Sequence, residues 1–418
     1  MNEFTSRTLS QGLNTRMQRR HFLGGMLTAA ATASLVRPVT AMAQTTAVAS
    51  SRKIRLGVIG CGGRGAWIAG LFAKHGGYEM HAVADYFQTV ADACGDALGV
   101  DKARRFSGLS GFKKLIASGV EAVACETPPY FIPPHAQAAV EAGLHVYMAK
   151  PVSADVPGCL QIQAAGALAT QKKLCFLVDY QMPTDPINIE VRKRILDGGI
   201  GPLAQMVTRG TGGGCPDPPK TGNLEDRLQK LIWVNDIAMG CDYLGNFDIH
   251  AIDAALWVAG KRPVAASGSS RICRKEPHGD SHDVCSVVYE YEDGLVHNHF
   301  GQALPNGLEG ELSCRVYGQS ANAMINYWGK AFVKGGDKPY EGGDVTDLYE
   351  SGANRNIAAF HAAITEGRFD NPTYQRAVDG ALACILGREA SSRRVRLTMD
   401  DLVRENRRLE VDLTGLKA

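Results

Sequence analysis

A glycine-rich turn, Gly60-Cys61-Gly62-Gly63-Arg64-Gly65, carries the strongest chemical signal in this 418-residue sequence. It lies directly after the strand-like run IRLGVI and directly before a helical pattern, which is the order found in dinucleotide-binding sites. Gly60 permits the tight turn, Gly62 lets the backbone approach a pyrophosphate, and Gly65 lets the helix pack closely on the strand. The N–H groups and dipole at the helix N-terminus favour the phosphates. We therefore assign a dinucleotide cofactor to Gly60, Gly62, Gly63, Arg64 and Gly65, with a purely structural turn as the alternative.

Asp85 indicates which dinucleotide this is. It ends the next strand-like run, EMHAVAD, 25 residues after Gly60. A carboxylate at that place can accept hydrogen bonds from the ribose hydroxyls of adenosine, whereas it would repel a 2′-phosphate. The sequence therefore predicts NAD rather than NADP, and the alternative is that Asp85 is an ordinary residue at the end of a strand.

The elements that must position these residues alternate regularly from Lys53 onward. Short β-branched runs alternate with longer helical stretches, which is typical of βαβ units around a parallel sheet. Beyond about Gln181 the strand-like runs are joined by short turns and predict a large, open, mostly antiparallel sheet with helices on one face. We therefore predict an α/β protein with an N-terminal Rossmann domain at 52–180 and a C-terminal α+β domain at 181–418 for substrate binding and oligomerisation. The last helices could pack back on the Rossmann domain, and the ligand is expected in the cleft between the domains.

A Lys150-Pro151 pair after the predicted fifth strand, preceded by the run CETPPYFIPPHAQAAVEAGLHVY, makes the pattern more specific. The sequence resembles the glucose-fructose oxidoreductase, inositol dehydrogenase and MocA (Gfo/Idh/MocA) family from Lys53 to about Leu397. The resemblance implies that Lys150 contacts a substrate hydroxyl and the nicotinamide ribose, and that a cis bond precedes Pro151. In this sequence Ala149 stands where the family usually has a glutamate. The resemblance also implies cofactor contacts for Thr127, Pro128, His135 and Lys150.

A second feature of the family is a helix with a catalytic histidine, an acid four residues before it and another acid three residues after it. His250 and Asp253 match this pattern, whereas Asn246 stands at the first acid position and Asp248 is displaced from it by two residues. Residues three or four apart share a helix face, so Asn246, His250 and Asp253 are expected to converge. Asp248 would point away on a regular helix, or would face the cleft as the N-cap of a helix that begins there. All four are candidates for contact with the substrate.

Four weaker candidates for the substrate site flank these motifs. Tyr180, Gln181 and Asp185 follow the sixth predicted strand at the domain junction, where side chains of the family reach the sugar. Residues of a domain-linking turn are the alternative for these three. Trp233 could stack on a pyranose ring, although core packing explains it at least as well.

Other polar side chains are better explained by structure than by chemistry. The run PHGDSHD at 277–283 contains residue types that ligate metals, but a polar turn is the better interpretation and we expect no metal site. His297 and His299 alternate along one predicted strand and therefore share a face, which we expect to be the surface of the sheet.

The activity that the resemblance implies is hydride exchange at a secondary hydroxyl of a sugar, glycoside or polyol. This step needs a base for the hydroxyl proton, and His250 can be that base near neutral pH. Lys150 could be the base instead, or could polarise the forming carbonyl, if burial or the positive nicotinamide ring lowers its pKa. The alternative is an NAD-dependent glycosidase that oxidises C3 transiently, eliminates the aglycone and adds water. A third interpretation is a sugar-binding protein without turnover, because Ala149 and Asn246 replace acids of the family.

The N-terminal residues predict export. Arg19 and Arg20 precede a moderately apolar stretch and the pattern Ala41-Met42-Ala43, which together resemble a twin-arginine signal peptide at residues 1–43. We therefore expect the twin-arginine export machinery as a partner and a periplasmic or other extracytoplasmic location. Free nicotinamide cofactor should be scarce there, so the NAD is expected to stay bound and to be regenerated within the catalytic cycle.

The composition excludes several classes of function. The chain has 45 Lys+Arg against 43 Asp+Glu, so its net charge is only +2 and no nucleic-acid partner is expected. After about residue 45 no apolar run approaches the ~20 residues needed to cross a membrane. The broad antiparallel sheet predicts a homodimer or homotetramer, as in relatives.

Overall fold

The computed structural model describes residues 52–219, 224–228 and 231–418. The predicted export signal at residues 1–43 lies outside these ranges. Within them, no helix is both long enough and apolar enough to cross a membrane.

The first part of the described chain forms a six-stranded parallel sheet. Its strands are β1 (Ile54–Ile59), β2 (Tyr78–Asp85), β3 (Arg105–Ser107), β4 (Ala122–Cys125), β5 (His145–Met148) and β6 (Phe176–Val178). The connecting helices are α1 (Gly63–His75), α2 (Gln88–Leu98), α3 (Gly111–Ile116), α4 (Ile132–Glu141) and α5 (Val156–Gln171). The spatial order β3-β2-β1-β4-β5-β6 reverses its direction between β1 and β4. In such sheets the ligand crevice lies at that point, outside the carboxyl ends of the strands.

The later part of the described chain forms a nine-stranded sheet in the order β14-β13-β12-β11-β7-β10-β9-β8-β15. Its strands are β7 (Leu203–Gly212), β8 (Ala265–Arg271), β9 (Val284–Glu290), β10 (Val296–Ala303), β11 (Glu311–Gly318), β12 (Ala321–Asn326), β13 (Gly329–Gly335), β14 (Tyr340–Val345) and β15 (Leu397–Thr398). Only the β7–β10 pair of this described sheet is parallel. The predicted architecture of a parallel domain followed by a mostly antiparallel one is therefore confirmed. The sequence pattern does not predict β13 and β14, because their segments GKAFVKG and YEGGDV are rich in glycine and charged residues.

The helices of the later part are α6 (Pro186–Leu196), α7 (Ile237–Gly240), α8 (Ile249–Ala259), α9 (Leu348–Glu366), α10 (Tyr374–Arg393) and α11 (Met399–Glu405), and a π-helical turn, Leu244–Asp248, leads directly into α8. Of these, α6, α8 and α10 pack on the strands of this sheet. Burial alternates along β10, where His297 and His299 are buried and Val296 and Phe300 are exposed. The expectation that the two histidines lie on the sheet surface is wrong, because they point to the covered face and both bond to the buried Thr208 hydroxyl.

Helix α9 does not stay with the second sheet. Its Ala353, Ile357 and Phe360 belong to the apolar cluster of the Rossmann sheet that also contains Leu56 and Phe72. The Tyr78 hydroxyl donates a hydrogen bond to the Ile357 carbonyl at 3.0 Å. The core of the first domain is thus completed by a helix whose Ile357 lies 279 positions after Tyr78 in the chain.

Candidate active site

The glycine turn between β1 and α1 is packed too tightly for side chains at its two ends. Gly60 has φ +92°, and a Cβ on it would lie 2.7 Å from the Glu126 carbonyl carbon and oxygen. A Cβ on Gly65, in the first turn of α1, would lie 1.8 Å from the Gly60 oxygen. Both positions therefore require glycine for β1, α1 and the loop after β4 to meet.

The middle of the same turn is open. A Cβ on Gly62 or Gly63 would meet no heavy atom within 4 Å. Gly62 is the N-cap residue of the 13-residue helix α1, and no side chain caps this end, so the first N–H groups of the helix stay available. Helix N–H groups without a partner can donate hydrogen bonds to a pyrophosphate, and the open backbone of the turn leaves room for it. The residues of this turn therefore fit the NAD that the sequence predicts.

The Asp85 carboxylate holds the turn in place. One oxygen accepts a hydrogen bond from the Cys61 N–H at 2.8 Å, and the other accepts one from the Phe87 N–H at 3.0 Å. Burial raises the pKa of Asp85, and the backbone hydrogen bonds oppose this rise. Each oxygen has a further lone pair, so this bracing role is compatible with the ribose contact expected for Asp85.

His135 and Thr127 lie behind the loop that follows β4. Their Nδ1 and Oγ1 atoms are 3.4 Å apart, and the imidazole contacts the rings of Phe112 and Phe131. Burial lowers the pKa of His135 to about 3, so the ring is neutral and packs as part of the core. The Pro128 carbonyl accepts a hydrogen bond from the Phe131 N–H at 2.9 Å and forms the turn into α4. These contacts explain the shape of the loop. The cofactor contacts expected for Thr127, Pro128 and His135 stay predictions.

Lys150 reaches from the Rossmann domain to the π-helical turn before α8. The expected cis bond precedes Pro151. The Lys150 Nζ donates a hydrogen bond to the Asn246 carbonyl at 2.6 Å. Burial, together with the nearby Arg64 guanidinium, lowers the pKa of Lys150 to about 7. A lysine in this environment can gain or lose a proton near neutral pH.

His250 lies in the first turn of α8 and faces the same interior. Its ring meets the Tyr180 and Tyr327 rings edge-on, at centroid distances of 6.2 and 4.9 Å, and its buried Nδ1 has no protein partner. Burial lowers its pKa well below the ordinary value, and the charges of Lys150 and Arg64 add to this effect. The structure thus brings the two predicted catalytic side chains into one electrostatic environment.

A buried acid pair lies beside Lys150 and was not predicted from the sequence. Glu126 and Asp179 directly follow β4 and β6, and both side chains are fully buried. Arg64 pairs with both carboxylates, and its Nε lies 3.1 Å from a Glu126 oxygen. Burial raises the pKa of Glu126 to about 7 even though Arg64 lowers it. The Arg64 side chain therefore contacts these acids, a role that its place in the glycine motif does not indicate.

Asp179 also joins the two domains. It accepts hydrogen bonds from the Gln181 amide at 2.8 Å and from the Asn356 amide of α9 at 2.7 Å. The Gln181 oxygen in turn accepts a hydrogen bond from the Tyr327 hydroxyl at 3.2 Å. The Tyr180 hydroxyl is buried without a hydrogen-bond partner among the described residues. Position after a buried parallel strand is the signal that could have revealed Glu126 and Asp179.

The two acids near His250, Asp253 and Asp248, bond to residues other than Lys150. Asp253 accepts a hydrogen bond from Arg376 at 2.7 Å, and its other oxygen is buried without a partner. Asp248 bonds to His299 of β10 at 3.0 Å and makes no N-cap hydrogen bond. The substrate contact expected for Asp248 does not fit this geometry, because the carboxylate is buried against the nine-stranded sheet. Asp248, Cys285 and His299 offer ligand atoms within 4.8 Å of one another, but the direct bond already pairs two of them.

Two more substrate candidates have structural roles. Asp185 is the N-cap of α6 and accepts hydrogen bonds from the Ile187 and Asn188 N–H groups, both at 3.0 Å. Trp233 packs in a small cluster with Val234, Tyr243 and Ala303, as the core-packing alternative states. Within the turn at 277–283, Asp280 accepts a hydrogen bond from the Ile237 N–H and His282 bonds to Ser270.

Models of one protein family match both parts of the chain. The model "Oxidoreductase family, NAD-binding Rossmann fold" matches residues 54–180, and the model "GFO/IDH/MocA C-terminal domain" matches residues 189–323.

Two similar proteins are inositol 2-dehydrogenases. The enzyme of Corynebacterium glutamicum (strain R) is 23% identical over 328 residues, which is 76% of this chain and 87% of that enzyme. The enzyme of Rhizobium meliloti (strain 1021) is 25% identical over 234 residues, which is 56% of this chain, and the match spans 63% of that enzyme's length.

Solved structures of similar fold include the aldose-aldose oxidoreductase from Caulobacter crescentus complexed with glycerol, with a TM-score of 0.66 and 20% identity. That match covers 83% of this chain and all of the other. An inositol dehydrogenase homolog from Azotobacter vinelandii complexed with NAD+ has a TM-score of 0.68 and 19% identity, over 83% of this chain and 98% of the other. With its glycine turn, its two sheets and both family models in agreement, the chain belongs to the Gfo/Idh/MocA family of oxidoreductases with an NAD-binding Rossmann domain.

Proposed function

We propose that this protein oxidises a secondary hydroxyl of a sugar, glycoside or polyol by transfer of a hydride to bound NAD. The observation that carries the proposal is the shared buried environment of Lys150 and His250, which come from different domains, with Lys150 bonded to the turn before the helix of His250 and lying near the acid pair Glu126 and Asp179. The names of the similar inositol dehydrogenases and aldose-aldose oxidoreductase support the substrate class.

The protein's own part in the reaction is to move a proton. Bound at the glycine turn, NAD supplies the acceptor for the hydride. As the substrate C–H bond breaks, its O–H bond must break too, and the proton passes to a neutral base. Lys150, with a pKa of about 7, is partly neutral at physiological pH, and the burial of His250 keeps its ring neutral. Either group can accept the proton, and the other can hydrogen-bond the forming carbonyl.

We propose further that the protein is exported in folded form with NAD bound and that the cofactor is recycled on the protein. The paired arginines and small-residue pattern of residues 1–43 support this proposal. Recycling requires that a second compound be reduced after each oxidation, or that the first substrate take the hydride back. Fractionation of cells that produce the full chain measures the location, and a purely cytoplasmic protein would contradict export.

We also propose a homo-oligomer that is built through the open face of the nine-stranded sheet. Val296 and Tyr317 are about two-fifths exposed and lie in register on either side of Gln205. Phe300, on the same face of β10 as Val296, is equally exposed. Such an apolar face favours association with a second copy. Light scattering of the purified protein measures the state, and a monomer at micromolar concentration would contradict the proposal.

The main experiment asks whether NAD is bound and whether sugars reduce it. Purified protein is denatured and the released small molecules are identified by mass spectrometry. Native protein is then mixed with sugars and polyols while the absorbance of reduced nicotinamide is followed. We expect released NAD and a rise in absorbance with a matching substrate. Lys150→Ala and His250→Ala should keep NAD but lower the rate at least about 100-fold, since each removes a proton-transfer group.

Lys338→Ala, which changes an exposed lysine on the second domain, is the control and should behave as the unmodified protein. Full activity of Lys150→Ala or His250→Ala would overturn the assignment. Release of nitrophenol from a nitrophenyl glycoside without added NAD would favour the glycosidase. Bound NAD that no sugar reduces would favour the binding protein.

A further inference from the structure

Residues 407–418 follow α11 and run along the carboxyl edge of the Rossmann sheet. Near one end, the Leu409 N–H donates a hydrogen bond to Asp155, the N-cap of α5, at 3.0 Å. Near the other end, the Lys417 N–H donates to the Tyr86 hydroxyl at 3.0 Å, and the Lys417 carbonyl accepts from the Leu109 N–H at 2.9 Å. The segment is therefore bonded to the Rossmann domain at both ends.

The contact near Lys417 is close and specific. The Lys417 Nζ donates a hydrogen bond to the Ser107 hydroxyl at 2.9 Å. A Cβ on Gly108 would lie 2.3 Å from the Ala418 oxygen, and Gly108 has φ +85°. Only a glycine at position 108 leaves room for the segment at this place.

The contacted residues lie at the carboxyl ends of three strands of the Rossmann sheet, β2, β3 and β5. Tyr86 comes directly after β2, Ser107 ends β3, and Asp155 lies in the loop after β5. The carboxyl ends of these strands form the edge along which a dinucleotide lies, with its adenosine half toward β2. Tyr86 is also the neighbour of Asp85, the predicted ribose ligand. The end of segment 407–418 near Lys417 thus borders the adenosine end of the expected cofactor site, and its beginning near Leu409 lies by the loop after β5.

The segment does not fill the place of the phosphates. The space above Gly62 and Gly63 stays open to at least 4 Å from an added Cβ. No atom of residues 407–418 therefore lies within 4 Å of these two positions.

The Tyr86 hydroxyl connects this segment to a third part of the chain. It donates a hydrogen bond to Glu225 in the 3₁₀ helix Leu224–Arg227 and accepts the one from the Lys417 N–H. Arg227 of the same 3₁₀ helix pairs with Asp236 at 2.8 Å, which links it to the second domain. One hydroxyl at the end of β2 therefore joins two segments that are distant in sequence.

We propose that residues 407–418, fastened through Tyr86, form a clasp that closes the adenosine end of the cofactor cleft and slows the release of NAD. This inference rests on the proposed function in one respect, that the ligand of the cleft is NAD. A clasp of this kind keeps a cofactor on the protein where free NAD is scarce. Its contribution concerns dissociation and is independent of the chemical step.

The experiment measures NAD release in the absence of any sugar. Full-length protein is loaded with NAD, an excess of an unrelated NAD-consuming enzyme traps what dissociates, and bound NAD is quantified by mass spectrometry over time. Tyr86→Phe removes both hydrogen bonds of the hydroxyl, and a variant that ends after Asp412 removes the contacts of Lys417. Tyr340→Phe changes a partly buried tyrosine of β14 in the second sheet and is the matched control.

We expect NAD release to be at least about tenfold faster in both test variants and unchanged in the control, because Tyr86→Phe loses two hydrogen bonds and the shortened chain loses the three that Lys417 makes with Tyr86, Ser107 and Leu109. Thermal melting checks that each variant is folded, and Tyr86→Phe decides the matter if the shortened chain is not. Unchanged release from folded Tyr86→Phe would overturn the clasp. Faster and tighter NAD binding by the shortened chain would overturn it as well, because the segment would then compete with NAD.

The outcomes separate the clasp from the proposed function. Unmodified protein that binds NAD without oxidising any sugar would contradict the proposed function and leave the release measurement valid. Unmodified protein that binds no NAD would contradict both.

Discussion

Lys150 and His250 are two basic side chains that burial has made weaker bases. Burial is the largest cause of the lowered pKa of each, and Arg64 adds to it in both cases. Glu126 and Asp179 act in the opposite direction on Lys150, because their charges raise its pKa. Since Ala149 stands at the usual acid position of the family, these two acids are the carboxylates that act on Lys150 here.

The first prediction concerns the pH dependence of the reaction. If neutral Lys150 is the base, the rate should rise as pH rises through about 7, where the lysine loses its proton. Glu126→Gln removes a charge that raises the pKa of Lys150, so the rising limb should move to lower pH by about half a unit. Initial rates of NAD reduction between pH 5 and pH 9 (roughly the range that spans this titration) measure the shift.

Glu141→Gln, on the exposed end of α4, is the control and should leave the pH profile unchanged. A Glu126→Gln protein that is slower at every pH with the same rising limb would show a merely structural role for Glu126. A shift to higher pH would contradict the sign of the argument.

At the scale of elements, the π-helical turn before α8, the helix that carries His250, determines which of its groups faces Lys150. The Asn246 carbonyl of this turn accepts the hydrogen bond from Lys150. The same turn places Asp248 against His299, away from the pocket. A regular helix through Asn246 would bond this carbonyl internally.

The second prediction tests the turn between β1 and α1 with two glycines of one helix. Gly65→Ala puts a Cβ 1.8 Å from the Gly60 oxygen, so helix and turn must separate. We expect a loss of about 1–3 kcal/mol of unfolding free energy and at least about tenfold weaker NAD binding. Chemical denaturation and calorimetric titration with NAD measure the two effects.

Gly70→Ala, in the middle of the same helix, is the matched control because its Cβ would meet nothing within 4 Å. It should keep NAD affinity and stabilise the protein by about 0.5–1 kcal/mol. Unchanged NAD affinity in Gly65→Ala would mean that the phosphates do not lie over this turn.

At the scale of the whole molecule, the two domains depend on each other for their cores. Helix α9 supplies Ala353, Ile357 and Phe360 to the Rossmann core. Its Asn356 bonds to Asp179 and to the Tyr180 carbonyl at the domain junction. The packing of α9 thus holds in place the domain junction beside the candidate active site.

The third prediction measures this dependence. Ile357→Ala removes a fully buried side chain and should lower the free energy of unfolding by about 2–4 kcal/mol. Ile189→Ala, with a 45% exposed side chain on α6, is the control and should change it by no more than about 0.5 kcal/mol. Urea unfolding followed by circular dichroism measures both. A separate early transition of the Rossmann part in the unmodified protein would contradict the shared core.

The sequence by itself determined the parts that depend on local spacing: the glycine turn, the alternation of strands and helices, and the positions of Lys150 and His250 in their motifs. It missed β13 and β14, since glycine and charged residues hide their alternation. Only the tertiary structure decided the partners of Arg64, the pairing of Asp248 with His299 and the course of residues 407–418. Those contacts join residues that lie tens to hundreds of positions apart. A local sequence pattern does not encode which charged side chains will pair in the folded protein. Periodicity reports the face that a side chain occupies, whereas packing decides what lies opposite that face.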